Sequence, residues 1–359
     1  MTESSPERVA ADHGWPSLLG ALMRGESLTI EAAAWAMGEI IDGNATDAQI
    51  ASFAVLLRAK GEEPAELEGM TQAMLSRAPL VRFEGSAVDL VGTGGDMART
   101  VNITTMAALV VAGTGRQVIK HGNRSMSSPC GSADLLQALG VVIDLPADGV
   151  TVTVREAGIG FCFAPVFHAG MRHARGPRNE IGVPTVFNIL GPLTNPARPK
   201  STALGCADLT RAPLLAQVLA DRGDFALVFG GDDGLDELTT TTTSQVWIVE
   251  DGRVRHETVS PHQLGIPTVE PVALEGGDVS VNAAVARELL EGKPGPVADA
   301  VLLNAAAGIV AADGLRGTDL VPAMADAMAE ARQSIDSGSA ATTLQRWVES
   351  SSSWQSTGR

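Results

Sequence analysis

Four stretches of the chain gather residues suited to holding phosphate, a hard cation and a carboxylate. In GTGGD, residues 92–96, Gly92, Thr93, Gly94, Gly95 and Asp96 join the apolar run AVDLV to a helical pattern that opens near Asn102, Thr104 and Thr105. Glycines let backbone N–H groups close on an anion at a helix N-terminus. Asp96 is itself an anion, so phosphate alone does not account for the loop. For Asn102, Thr104 and Thr105 singly, capping is the plainer role. The second stretch, KHGNRSMSS at 120–128, sets Lys120, His121, Asn123, Arg124, Ser125, Ser127 and Ser128 at a strand end, where open α/β sheets collect ligands. The third, GDDGLDELTTTTTS at 231–244, carries Asp232, Asp233, Asp236 and Glu237. It is either a solvated acidic turn or a magnesium site, because hard cations choose carboxylate oxygens and are often shared with phosphates. A polyphosphate carried by magnesium wants both bare amides and carboxylates. The fourth, FHAGMRHARGPRNEIG at 167–182, holds His168, Arg172, His173, Arg175 and Arg178. The planar fork of an arginine matches a carboxylate.

Positioning these groups takes two kinds of element. Residues 15–78 read as all helix. Thr46-Asp47-Ala48-Gln49 is a capping-box pattern, the helix it opens ends before Gly61, and Pro64 suits the first turn of the next. Leu67, Met70 and Met74 line one face of that helix and read as packing rather than as a cofactor site. From residue 87 the runs AVDLV, QVIK, VVIDL, TALG and FALVF alternate with helical stretches, the pattern of a mostly parallel sheet covered by helices. The expected fold is therefore a small all-helical domain plus a larger α/β domain. The helical domain is expected over 1–82, joined by about 165–184, and the α/β domain over 83–359. The segment 251–280 is expected to be loop-rich and the tail from about 349 to fray. No repeat of solenoid period is present.

Of the 359 residues, 45% are apolar and 19% charged, which suits a globular protein with a sizeable core. The net charge of −16 argues against nucleic acid and acidic lipid surfaces as partners, since their phosphates would be repelled. Three scattered cysteines, Cys130, Cys162 and Cys206, read as reduced residues of a cytosolic protein. MTESSPERVAADHG lacks the basic-then-apolar order of a signal peptide. The stretch AVLLNAAAGIVAADGL at 300–315 contains Asn304 and Asp313 and is too short to span a bilayer. The expectation is a soluble, cytoplasmic protein.

GTGGD at 92–96, KHGNR at 120–124, GSADLLQALG at 131–140, FNILGPLTNP at 187–196 and DELT at 236–239 together resemble the anthranilate phosphoribosyltransferase family, in motif order and over nearly the whole chain. The resemblance implies attack of the anthranilate amine on 5-phosphoribosyl 1-pyrophosphate (PRPP), giving N-(5-phosphoribosyl)anthranilate and pyrophosphate in tryptophan biosynthesis. It also implies a nucleoside phosphorylase/phosphoribosyltransferase type of fold, an interdomain hinge, and a homodimer formed through the helical domain. By the same resemblance, Gly92, Thr93, Gly94, Gly95, Asp96, Thr100, Asn102, Thr104, Thr105, Lys120 and Ser132 would bind PRPP. Gly92, His121, Asn123, His168 and Arg178 would meet anthranilate, with Lys120, Asn123 and Arg178 carrying catalysis. Thr104, Asp236 and Glu237 would hold Mg2+, two ions per subunit.

Four departures from the family pattern touch the loop and the acceptor side: Met97 for glycine, Thr104 for serine, Ala169-Gly170 for Pro-Ala and Pro184 for arginine. Two other readings stand beside this one. One is a sister phosphoribosyltransferase using another aromatic amine in specialised metabolism. The other is a non-catalytic nucleic-acid-binding paralogue, against which the charge of −16 tells. Pyrimidine nucleoside phosphorylases share the fold but work without the paired Asp-Glu metal site.

Overall fold

The computed structural model describes residues 14–125 and 129–358. Ser127 and Ser128 of the basic cluster, and the first thirteen residues searched for a signal peptide, lie outside the described residues. The chain forms two compact units: everything described up to Ala78 together with Phe167–Thr194, and Pro79–Val166 together with everything described from Asn195.

The first unit opens with four helices, α1 (Gly14–Met23), α2 (Ile30–Ile41), α3 (Asp47–Lys60) and α4 (Pro64–Arg77). The capping box is present: Gln49 N–H reaches Thr46 Oγ1 at 3.3 Å, and Thr46 N–H reaches Gln49 Oε1 at 2.8 Å. Gly61 ends α3 at a φ of +92°, and Pro64 starts α4. Leu67, Met70 and Met74 are buried, as a packing face requires. Glu66, fully buried, accepts the Leu28 and Glu63 N–H groups and Lys60 Nζ, so its charge is compensated.

The second unit is a seven-stranded sheet with its helices. In chain order come β1 (Ala87–Gly92), α5 (Ile103–Gly113), β2 (Gln117–Gly122), α6 (Ser132–Ala138), α7 (Ala147–Ala157), β3 (Ile159–Phe163) and α8 (Ala164–Phe167). The chain then contributes 3₁₀ turns and α9 (Arg175–Ile181) to the helical unit before returning. His168 Nε2 meets Thr194 O at 2.8 Å, tying the two ends of that excursion together. This closure places its limits at 167 and 194, starting close to the 165 expected and ending ten residues past the expected 184. There follow β4 (Ser201–Gly205), α10 (Ala212–Asp221), β5 (Phe225–Gly231), β6 (Ser244–Glu250), β7 (Arg253–Val259), α11 (Val279–Leu290), α12 (Pro296–Asp313), α13 (Leu320–Asp336) and α14 (Ser339–Thr357). The strand order is β3-β2-β1-β4-β5-β6-β7, with β3 to β5 parallel and β6 and β7 antiparallel. The architecture is thus the expected helical bundle plus mostly parallel α/β sheet.

Three local expectations fail. VVIDL is not a strand: Val142 N–H bonds Ser351 Oγ instead of a ladder partner, while Val141, Ile143 and Leu145 still enter the core. The loop-rich segment 251–280 contains β7, which pairs with β6 over seven residues. The tail does not fray either. Residues 349–357 are the end of α14, where Ser351 is fully buried and Trp354 packs on Gly149. The apolar stretch at 300–315 belongs to an 18-residue helix, α12, long and apolar enough by composition to cross a membrane. It instead packs against β1, β4, β5, α5 and α13, with 72% of its length buried inside the fold. At Gly308, Leu90 of β1 comes close enough that a Cβ would lie 2.8 Å from Leu90 Cδ2.

Deleting residues 349–359 removes the Ser351 bond to Val142 and the Trp354 contact. The expected cost is about 2–4 kcal/mol, read as a fall in Tm of about 5 °C or more. A thermal melt indistinguishable from that of the full chain would return the tail to the status of a frayed end.

Candidate active site

Ligands of open α/β sheets gather where the strand order reverses. Here the chain runs from β1 outward to β2 and β3, then crosses to β4 and β5 on the other side of β1. The carboxyl ends of β1 and β4 flank that reversal, and both end in glycine, Gly92 opposite Gly205. The reason is the segment after β5. A Cβ on Gly205 would lie 1.6 Å from the Asp236 main-chain oxygen, and one on Gly92 would lie 2.2 Å from Asp236 Oδ2. Gly94 N–H then donates to the same Oδ2 at 2.7 Å. Gly94 and Gly95 meet no such crowding and are required by φ values of +64° and +83°. Met97 and Arg99 also adopt positive φ, +58° and +56°, so the loop is left-handed at four positions. Met97 takes this backbone without glycine's freedom and points out, 79% exposed.

Asp96, Asp236 and Glu237 converge, with one carboxylate oxygen from each within 4.8 Å of the others. Thr104 Oγ1, from the first turn of α5, donates to Glu237 Oε1 at 3.2 Å. Glu237 Oε2 is buried with no hydrogen-bond partner among the described residues. Burial pushes the Asp236 carboxyl up to about 6, and the Asp96 charge pushes the same way. Glu237 is driven well above the usual carboxylate range by burial, by Asp236 and by Asp96. Such a cluster is costly by itself and fits a hard divalent cation, which takes oxygen ligands in preference to nitrogen or sulfur. Of the four acidic residues after β5, Asp232 and Asp233 are diverted elsewhere. Asp232 takes Thr243 and Gln245, and Asp233 takes Thr239 and Thr241.

Lys120 and His121 stand near the end of β2. Lys120 is buried, and its Nζ donates to Leu90 O at 2.5 Å. Desolvation lowers its pKa, while Asp89, Asp236 and Glu237 act to raise it. Asp89 and Asn195 are residues that sequence reasoning missed. Asp89 accepts His121 N–H at 3.1 Å and Asn195 Nδ2 at 2.8 Å. Asn195 Nδ2 also reaches Ile119 O at 2.7 Å, and its Oδ1 accepts Ala197 N–H at 2.9 Å. Burial pushes Asp89 up to about 6 against the pull of Lys120. A carboxylate inside the apolar run AVDLV was the available signal.

The remaining residues divide. Asn102 occupies the N-cap position of α5, but its side chain does not cap. Its Nδ2 donates to Cys130 O at 3.0 Å and its Oδ1 accepts Asn282 Nδ2 at 2.9 Å. Thr100 pairs by its backbone with Glu275, and Thr105 is buried in α5. Ser132 is the first residue of α6 and Asn123 is exposed beside it, with Asn123 O accepting Ala133 N–H at 3.3 Å. Arg124 is spent on structure, pairing with Asp134 and Gln137 and lying over the Phe163 ring at 5.8 Å. In the helical unit, the bond from His168 to a carbonyl fixes the proton on Nε2, and burial lowers the pKa of its ring. Arg178 lies over the Phe187 ring at 5.7 Å, makes no ion pair among the described residues, and is partly desolvated.

Two family models cover the chain, the helical bundle domain of a glycosyl transferase family over residues 16–78 and its a/b domain over residues 84–341. With the fold and the acidic cluster, they define the class as a glycosyl-transferring enzyme. Among the relatives, the anthranilate phosphoribosyltransferase of Thermobifida fusca is 55% identical over 95% of this chain and 98% of its own. The crystal structure of that enzyme from Thermus thermophilus has a TM-score of 0.86 and 40% identity, covering 93% of this chain and 98% of its own. The Saccharomyces cerevisiae enzyme in complex with PRPP and Mg has a TM-score of 0.85 and 26% identity, covering 95% and 99%. It has also been solved with 4-fluoroanthranilate. The chain belongs to the anthranilate phosphoribosyltransferase family.

Gly205→Ala tests the close approach of Asp236 independently of any ligand contact. A Cβ there forces the 236–239 segment to move, because the obstacle is backbone. The magnesium concentration for half-maximal activity is expected to rise at least about tenfold, with a stability loss of about 1–3 kcal/mol. Wild-type magnesium dependence in a folded Gly205→Ala enzyme would show that the segment can shift without consequence.

Proposed function

We propose that this chain transfers the 5-phosphoribosyl group from PRPP to the amine of anthranilate, releasing pyrophosphate and giving N-(5-phosphoribosyl)anthranilate in tryptophan biosynthesis. The observation that carries the reading is the convergence of Asp96, Asp236 and Glu237 beneath the Gly94 amide at the reversal of strand order, in a chain of this family. The main-chain N–H groups of the 92–96 loop, with Thr93, Thr100, Asn102, Thr104, Thr105 and Ser132, bind the phosphates and ribose. Asp236 and Glu237, with the Thr104 hydroxyl, hold Mg2+, two ions per subunit. When bound there, magnesium neutralises charge that builds on departing pyrophosphate.

The aromatic amine of anthranilate is unprotonated at neutral pH and needs no strong base before attack. Breaking the ribose C1–oxygen bond is the harder step, through an oxocarbenium-like transition state. Lys120, fixed in a dry strand end, presents its positive charge to the leaving phosphate oxygens without first shedding a hydration shell. Asn123 positions the amine, with Gly92, His121 and His168 at the acceptor side, and Arg178 reads the carboxylate. The protein works as a cytoplasmic homodimer formed through the helical unit. Three buried cysteines, none of them in a disulfide, support the reducing compartment, and sedimentation of the purified chain checks the dimer.

A fluorescence assay with PRPP, magnesium and anthranilate tests the reaction, and turnover with neither anthranilate nor any amine of a substituted panel would sink it. Replacing Asp236 and Glu237 together by Ala is expected to raise the magnesium requirement and lower turnover sharply. An unchanged magnesium titration would remove them from the metal.

Arg178 is tested by a cycle in which protein and substrate each lose one partner. A charged hydrogen-bonding contact contributes about 1.5–3 kcal/mol, so Arg178→Ala should lower kcat/KM for anthranilate roughly 10- to 150-fold. Arg178→Lys should recover part of that loss, lacking the fork. Anthranilamide, uncharged, should be disfavoured by the wild-type enzyme but barely distinguished from the acid by Arg178→Ala. Equal fractional losses on both substrates would assign Arg178 to the fold.

A further inference from the structure

Asn304 lies within α12, in a run from Ala300 to Ala312 otherwise made of Ala, Val, Leu, Ile and Gly. A buried primary amide in such surroundings is costly unless every group is bonded. Here every group is. Asn304 Oδ1 accepts the Leu238 N–H at 3.0 Å, and Nδ2 donates to Leu238 O at 2.8 Å and to Ala300 O at 2.9 Å. The amide thus pairs with both main-chain groups of one residue, and that residue directly follows Glu237.

The neighbouring cluster needs such a hold. Three carboxylates with oxygens within 4.8 Å of one another repel before any cation arrives, and a free loop would relieve the repulsion by moving apart. On one side the segment is wedged by Asp236 against Gly92 and Gly205, and beyond Leu238 the Thr239 N–H is held by Ser244 Oγ at 3.0 Å. Among the described residues Glu237 itself has one side-chain partner, Thr104. α12 is a suitable anchor, since it is packed on β1, β4 and β5, the strands whose ends flank the site.

We propose that Asn304 is a positioning residue for the metal-holding pair: it pins the Leu238 peptide groups so that Asp236 and Glu237 converge with Asp96. The inference rests on the reading of those carboxylates as the magnesium site. It concerns a buried residue whose side-chain polar atoms are all taken by main-chain groups of Leu238 and Ala300.

The test uses the full chain carrying Asn304→Leu, which keeps the branched shape, though bulkier, but leaves both Leu238 groups unbonded, and Asn304→Ala, which leaves room for a water to bond them. PRPP binding is followed by calorimetry across a magnesium titration, beside a thermal melt and the KM for anthranilate. The expected result is a folded protein whose half-saturating magnesium rises roughly 10- to 100-fold in Asn304→Leu, and less in Asn304→Ala. KM for anthranilate should stay near the wild-type value. A lower Tm with wild-type magnesium dependence, or failure of both variants to fold, would overturn the proposal and leave Asn304 a structural residue. The Asp236→Ala/Glu237→Ala double variant separates the two layers. If its PRPP binding keeps wild-type magnesium dependence, the metal reading itself falls; if it alone changes, only the role of Asn304 falls.

Discussion

Everything at the sheet's end follows from the burial of Asp236 against the tips of two parallel strands. Its main-chain oxygen and carboxylate approach so closely that neither β1 nor β4 can end in a residue with a side chain. The strand order reverses at this same place, so a crevice exists there for topological reasons. Asp236 fills its floor and draws Glu237 in beside it. Asp96 comes from the loop above, whose left-handed backbone exposes the Gly94 amide. One close approach therefore sets the identity of two glycines, the path of one loop and the gathering of negative charge.

That charge is balanced from below and from the side. Lys120 is carried on the central part of the sheet, between Asp89 and the acidic pair, with its ammonium bonded to a carbonyl of β1. Asp89 in turn is tied by Asn195, whose amide also bonds Ile119 of the same strand as Lys120. The buried polar groups form linked sets in which most donors have acceptors, as buried networks must. Among the described residues the unbonded oxygen of Glu237 is an exception, and it belongs to the three-carboxylate cluster that fits a hard cation.

The loop between β1 and α5 depends on a distant part of the chain. Residues 274–276 pair with Arg99, Thr100 and Val101, and Asn282 in the first turn of α11 holds Asn102. These bonds stiffen a loop that positive φ at Met97 and Arg99 would otherwise leave strained and free to rearrange. Stiffness here favours pre-formed amides over a loop that must organise around each substrate.

The sequence by itself determined what local chemistry dictates. Thr46 and Gln49 cap α3 as their spacing requires, Gly61 and Pro64 separate two helices, and the apolar runs AVDLV, QVIK, TALG and FALVF are strands of a mostly parallel sheet. The order of its motifs carried the family. Tertiary structure decided what local chemistry leaves open. VVIDL has the composition of a strand but finds no ladder partner, because Ser351, more than two hundred residues away, takes its amide. By local composition the four acidic residues after β5 are alike, and only the family motif set Asp236 and Glu237 apart; in the structure nearby side chains divert the other two while the glycine pair and Asn304 steer these inward. Asn304 reads in sequence as a blemish on an apolar helix. Its meaning lies in a contact 66 residues distant, and such pairings are set by the packing of whole elements rather than by any window of chain.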